Sequence, residues 1–103
     1  MITITVTYPT ASGSKFDVDY YLKKHIPLVK HRWAEHGLTH VQVVRGLAKA
    51  DGSTPDYQIM AILSFGSLEG FKAAGKMHGK EIFADIPNFT DTQATVQINE
   101  NIG

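Results

Sequence analysis

Ile2-Thr3-Ile4-Thr5-Val6-Thr7-Tyr8 alternates strictly between apolar and hydroxyl side chains. A period of two is that of a β-strand, whose successive residues face opposite sides of a sheet, and β-branched residues suit that setting. One face of this strand is apolar and the other carries only threonine. Pro9 to Ser14 ends the pattern.

Working outward, Asp17 is placed to cap a helix from Val18 to His36, with Gly37 as the residue that closes it. Val18, Leu22, His25, Val29, Arg32/Trp33 and His36 fall on one stripe of that helix. Thr39 to Leu47 reads as a second strand and Tyr57 to Phe65 as a third. Between them lies a polar hairpin loop, Ala50-Asp51-Gly52-Ser53-Thr54-Pro55. Ser67 caps a second helix from Leu68 to about Met77, weakened by Gly70 and Gly75. His78 to Asp91 is a connection with a helical turn at Lys80 to Ala84 and a bend at Pro87-Asn88, and Thr92 to Ile98 is the last strand. The order βαββαβ predicts a ferredoxin-like α+β fold, a four-stranded antiparallel sheet with both helices on one face. At 103 residues the chain has room for one core, so residues 1–103 form a single domain.

Ten Lys+Arg balance ten Asp+Glu, so no long-range field gathers phosphate backbones or anionic headgroups, and neither nucleic acid nor a membrane is an expected partner. The absence of Cys removes disulfides, thiolate catalysis and Cys-based zinc or iron–sulfur sites. No apolar run approaches the ~20 residues of a membrane span, and the first residues lack the basic start of a secretory peptide. A soluble, cytoplasmic protein is the expectation.

Pairing the strands' apolar positions with the helices assigns Ile2, Ile4, Val6, Val41, Val43, Ile59, Ala61, Leu63, Ala94, Val96 and Ile98 to the covered face. The other face then carries Thr3, Thr5, Thr7, Gln42, Val44, Gly46, Gln58, Met60, Ile62, Ser64, Gln93, Thr95 and Gln97, with no Lys, Arg, Asp or Glu. A solvated face in a chain that is 19% charged should contain some charge. Both helices are already used, so the expected cover is the same face of a second chain, stacked about 10 Å away.

His25 is the leading candidate for chemistry. An imidazole within an apolar stripe loses hydration unless it finds a partner, and its pKa lies near neutrality. Pro27 has no N–H for the Lys23 carbonyl, so this turn is expected to bend or open. Tyr21 lies one turn before His25 and would donate to a substrate oxygen, with Tyr20 as the competing choice. Asp85 and His78 stand before the last strand, where either would assist the imidazole. Trp33, Phe65, Phe83 and Phe89 would wall an apolar pocket. The alternative for His25 is a core histidine satisfied by a backbone carbonyl.

Three patterns carry no function. Gly70-Phe71-Lys72-Ala73-Ala74-Gly75-Lys76 has P-loop spacing, but Met77 stands where Ser or Thr must hold magnesium, inside a helical pattern. Asn88-Phe89-Thr90 is a glycosylation sequon with no secretory context. His31 and His36 are about 140° apart on a helix, and His36 and His40 straddle its end. No metal and no cofactor are expected.

Tyr20-Tyr21-Leu22-Lys23-Lys24-His25-Ile26-Pro27-Leu28-Val29 resembles the EthD family, named for a protein encoded with an ethyl tert-butyl ether-degrading oxygenase system. The resemblance continues through Ala61 to Glu69 and His78 to Asp91. It implies a dimeric α+β barrel, in which two ferredoxin-like sheets face each other. His25 and Pro27 fall on the family's His-x-Pro-Leu pattern and Asp85 on its acidic position, which implies that these residues belong to the cavity. The wider superfamily holds cofactor-free monooxygenases, polyketide cyclases, dehydratases and muconolactone-isomerase-like enzymes.

Two functions follow as expectations. The first is a small cofactor-independent enzyme acting by acid/base chemistry on a hydrophobic carbonyl or aromatic compound. The second is a non-catalytic accessory or ligand-binding homodimer, with His25 as a structural residue.

Overall fold

In the computed structural model, which describes residues 1–103, the strands are β1 (Ile2–Pro9), β2 (Leu38–Arg45), β3 (Tyr57–Phe65) and β4 (Thr95–Glu100). They form one antiparallel sheet in the order β2-β3-β1-β4. Two helices lie on one face, so the predicted ferredoxin-like α+β architecture is the observed one. Ile4 of β1 and Ala61, Leu63 and Phe65 of β3 pack with Val29 and Trp33 of the first helix and Ala74 and Ile82 of the second. At the other end of the same layer Tyr8, Tyr21, Ile26, Ile59 and Phe89 form a second cluster. No helix is long and apolar enough to cross a membrane.

The first helix runs without a break over residues 18–36, but its winding changes along the way. Asp17 caps it by accepting from the Tyr20 N–H at 3.0 Å. Tyr21–His25 is a π turn, in which the Ile26 N–H donates to the Tyr21 carbonyl, five residues back. Regular α-helix resumes at Ile26–Trp33, and Gly37 closes the helix at φ 100°, a left-handed conformation that favours glycine. The wide turn is the opening that Pro27 predicts, and it lies just before the proline, where the missing N–H would have continued the α ladder. Tyr21 and His25 are its first and last residues, and both are buried.

The second helix is longer than its glycines predict. It spans Leu68–Ala84, absorbing the turn expected at Lys80 to Ala84. Glycine permits something here that its low helix propensity does not show. A Cβ on Gly70 would collide with the His36 carbonyl oxygen, so glycine lets the second helix start hard against the end of the first. The last strand is displaced to Thr95–Glu100, leaving Gln93 and Ala94 in the approach. Val96 pairs with Val6 and Ile98 with Ile4, yet both stay partly exposed because neither helix extends over this edge.

The other sheet face has no covering layer. Only 16 of 103 residues are buried and the thinnest dimension is 19 Å, the thickness of one helix layer on one sheet. Rows of paired residues cross that face: Gln42, Ile62, Thr5 and Gln97 in one, Val44, Met60, Thr7 and Thr95 in the next. A third row brings in His40, Ser64, Thr3 and Asn99. None of the twelve side chains is Lys, Arg, Asp or Glu.

Candidate functional site

The π turn aims His25 into the helix layer, where it is 4% exposed. Its Nδ1–H donates to Asp85 Oδ2 at 2.9 Å. Asp85 follows directly on the second helix, and its other oxygen accepts from the Tyr20 hydroxyl at 2.6 Å and from Asn88 Nδ2 at 3.0 Å. Three donors from two separate elements therefore fix one carboxylate. That carboxylate fixes the tautomer of the imidazole, leaving the Nε2 lone pair as its basic position. No protein group bonds Nε2, so His25 is not the core histidine held by a backbone carbonyl.

The charges follow from this geometry. Burial lowers the pKa of His25 below its ordinary 6.5, with Asp85 partly offsetting the fall, so the imidazole is neutral at pH 7. Burial opposes ionisation of Asp85, but the bonds from Tyr20, Asn88 and His25 outweigh it and hold the carboxyl below its ordinary 3.8. Burial pushes the phenols of Tyr8 and Tyr21 upward, so both are neutral hydroxyls. The site is one anion oriented behind one neutral base.

His25 stands on the wall of a cavity between the helices and the sheet, whose other lining residues are aliphatic or aromatic, Tyr8, Tyr21, Trp33, Phe83 and Val96 among them. Its volume is about 30 Å³, room for two waters at most. Phe83 and Val96 are 43% and 37% exposed, which places the way in at the uncovered edge beside β4. A ligand larger than water needs side chains of the lining to move, and Phe83 and Val96 are its most exposed members.

The sequence-predicted residues divide as follows. Tyr21, His25, Trp33 and Phe83 line the cavity. Tyr21 lies stacked on His25, with ring centroids 5.6 Å apart, while Tyr20 holds Asp85 outside the cavity, so the two tyrosines have different places. Asp85 and Phe89 stand behind the wall, Phe89 with its ring 4.6 Å from the imidazole. Phe65 and His78 are not on the wall. Phe65 packs beneath Trp33, and His78 lies next to His36 because its helical position turns it away from the sheet. Sequence reasoning missed Tyr8 and Asn88. Tyr8 continues the apolar alternation of β1, a signal that was present, whereas nothing local marks Asn88 as a partner of Asp85.

The depressed pKa values of His25 and Asp85 have a direct consequence for stability. The unfolded chain takes up a proton at His25 before the folded one does, so stability falls as pH drops below about 6.5, and Asp85 adds a further loss below about 3.8. Urea unfolding followed by Trp33 fluorescence is expected to give a lower unfolding free energy at about pH 5.5 than at about pH 7.5. His25→Asn should flatten that difference, and a rise in stability on acidification over this range would contradict the burial assigned to His25.

The architecture is thus a ferredoxin-like α+β sheet whose helix layer holds His25 on the wall of an apolar cavity with Asp85 behind it. The family model for the EthD domain matches residues 12–93, and the chain belongs to that family. An EthD-like protein from Ralstonia eutropha is 39% identical, with 96% of this chain and 89% of that one covered and a TM-score of 0.88. An ethyl tert-butyl ether (EthD) family protein from Bacillus halodurans is 20% identical over 99% of both chains, with a TM-score of 0.77. SnoaB from Streptomyces nogalater, described as a cofactor-independent oxygenase, shares the fold at 11% identity, 97% and 91% coverage and a TM-score of 0.66. Other proteins of this fold are described as dimeric. A search of curated proteins found no match.

Proposed function

We propose that this protein is a small cofactor-independent enzyme that moves a proton on a hydrophobic carbonyl or aromatic compound. The carrying observation is the free Nε2 of a neutral imidazole, oriented from behind by Asp85, on a wall otherwise built of apolar side chains. His25 Nε2 takes a proton from an acidic C–H or phenolic O–H of the substrate, and Asp85 stabilises the imidazolium that results. Tyr21, a neutral phenol beside His25, donates to the substrate oxygen on which charge develops. Tyr20 and Asn88 act through Asp85 as positioning residues. Phe83 and Trp33 contact the apolar body of the substrate, with Phe89 supporting the imidazole from behind. The fold shared with SnoaB supports the reading only as far as a fold can.

The active form is a homodimer closed through the uncharged sheet face, with the two cavities on the outer, helical sides. A second reading, a non-catalytic accessory or ligand-binding dimer, has the small cavity volume in its favour, since that volume leaves no room for turnover without rearrangement.

One experiment separates the two. Hydrophobic carbonyl and phenolic compounds are titrated into the isotope-labelled full chain, and each that binds is followed for consumption. Shifts at His25, Phe83 and Val96 with loss of the compound support the enzyme. In that case Asp85→Asn should leave KM near its original value and lower kcat, because a neutral amide no longer stabilises the imidazolium. Shifts without consumption favour the binding dimer, and binding that leaves His25 unperturbed contradicts the enzyme.

A further inference from the structure

The fold brings three metal-ligating side chains together away from the cavity. Glu35 and His36 occupy the last turn of the first helix, and His78 comes from the middle of the second. One ligand atom from each lies within 4.8 Å of the other two. Glu35 Oε1 is 3.8 Å from His36 Nε2 and 4.0 Å from His78 Nε2. His36 Nε2 is buried and has no hydrogen-bond partner, the one side-chain atom of the chain in that position. A buried imidazole nitrogen without a partner is unfavourable unless something else occupies its bonding direction.

The backbone around this cluster is fixed. Gly37 ends the first helix and its carbonyl accepts from the Gly66 N–H at 3.0 Å, while Gly70 lets the second helix abut the His36 carbonyl. One turn away Arg32 donates to Glu81 at 2.9 Å, which occupies that carboxylate and leaves Glu35 as the acid facing the two imidazoles. A cation here also lies near the negative end of the first helix's dipole.

We infer that Glu35, His36 and His78 form a binding site for a divalent d-block cation of the zinc class, which clamps the end of the first helix onto the second. Two imidazoles and one carboxylate suit such an ion rather than magnesium or calcium, which take oxygen ligands. Metal–ligand bonds of about 2.0–2.1 Å in a tetrahedron set the ligand atoms about 3.3–3.4 Å apart. The two Glu35 distances need to shorten by less than about 1 Å to reach that spacing. The Glu35 side chain is 76% exposed and free to supply that movement, while the two imidazoles, whose ligand atoms lie within 4.8 Å, must close by up to about 1.4 Å through rotation of their rings. Water fills the fourth position. None of the three residues lines the cavity, so the site is independent of the chemistry assigned to His25.

The test uses the full chain, stripped with a chelator and titrated with zinc alone by calorimetry. One ion per chain with a dissociation constant in the micromolar range or tighter is expected, together with a zinc-dependent rise in Tm. His36→Ala and His78→Ala should each weaken binding by at least about tenfold, while His31→Ala and His40→Ala, histidines outside the cluster, should leave it unchanged. In the unsubstituted protein, the imidazole NMR signals of His36 and His78 should respond to zinc and that of His25 should not. Binding no tighter than millimolar, equal losses in the His31 and His40 variants, or a response centred on other histidines would each overturn the assignment.

Discussion

The His25→Asn variant is expected to keep the fold and lose about 10²–10⁴-fold in kcat on any compound the wild-type protein turns over, with KM little changed. The amide nitrogen of Asn reaches roughly where Nδ1 of the imidazole stands, so it can still donate to Asp85 and spare that carboxylate an unpaired, partly buried charge. What the substitution removes is Nε2, the basic atom at the cavity wall. His25→Phe removes both nitrogens, strands Asp85 without its imidazole donor, and should also destabilise the chain by about 1–3 kcal/mol. Steady-state kinetics beside thermal unfolding separate the two effects. Turnover in His25→Asn within threefold of wild type would remove His25 as the general base.

A comparably large effect is expected on the opposite side of the sheet. Ile62 sits between Gln42 and Thr5 in a row without charge, and Glu at this position places a carboxylate in the middle of the face. In a lone protomer that charge would be hydrated at little cost. In a dimer stacked through this face it would be buried against its own copy, unpaired, at a cost of about 3–5 kcal/mol for each chain. Ile62→Glu should therefore weaken dimerisation by at least about a hundredfold and sediment as a monomer at micromolar concentration, where the wild type is expected to sediment as a dimer. The cavity lies on the other face, so the monomer should keep the neutral His25. A wild-type monomer, or a variant dimer of unchanged strength, would contradict the stacked arrangement.

The main architecture was legible because it depends on short-range signals. The alternation of Ile2 to Tyr8, the Asp17 cap and the Gly37 stop each specify local geometry that no distant contact needs to supply. The second helix was underestimated because propensity counts Gly70 and Gly75 against it, whereas Gly70 is there for the close approach to His36. His25 could be picked out from its place on an apolar stripe, and Pro27 signalled the wide turn that aims it.

The partners of His25 were harder to read. Asp85 is 60 residues away and Asn88 joins it only through the bend after the second helix, so their convergence is a product of tertiary packing. The split between Tyr20 and Tyr21 had the same origin. Adjacent residues on a helix differ by about 100° in direction, and only the neighbouring elements decide which faces the cavity. His78 was drawn toward the site by its nearness in sequence to Asp85, yet the extended second helix carries it to His36 instead.

Nitrogen-15 NMR of the His25 side chain reads the protonation of the imidazole itself and needs no substrate. At pH 7 the expected spectrum is that of a neutral imidazole with its proton on Nδ1 and a bare Nε2, held in that tautomer by Asp85. A proton on Nε2, or an imidazolium carrying both, would contradict it.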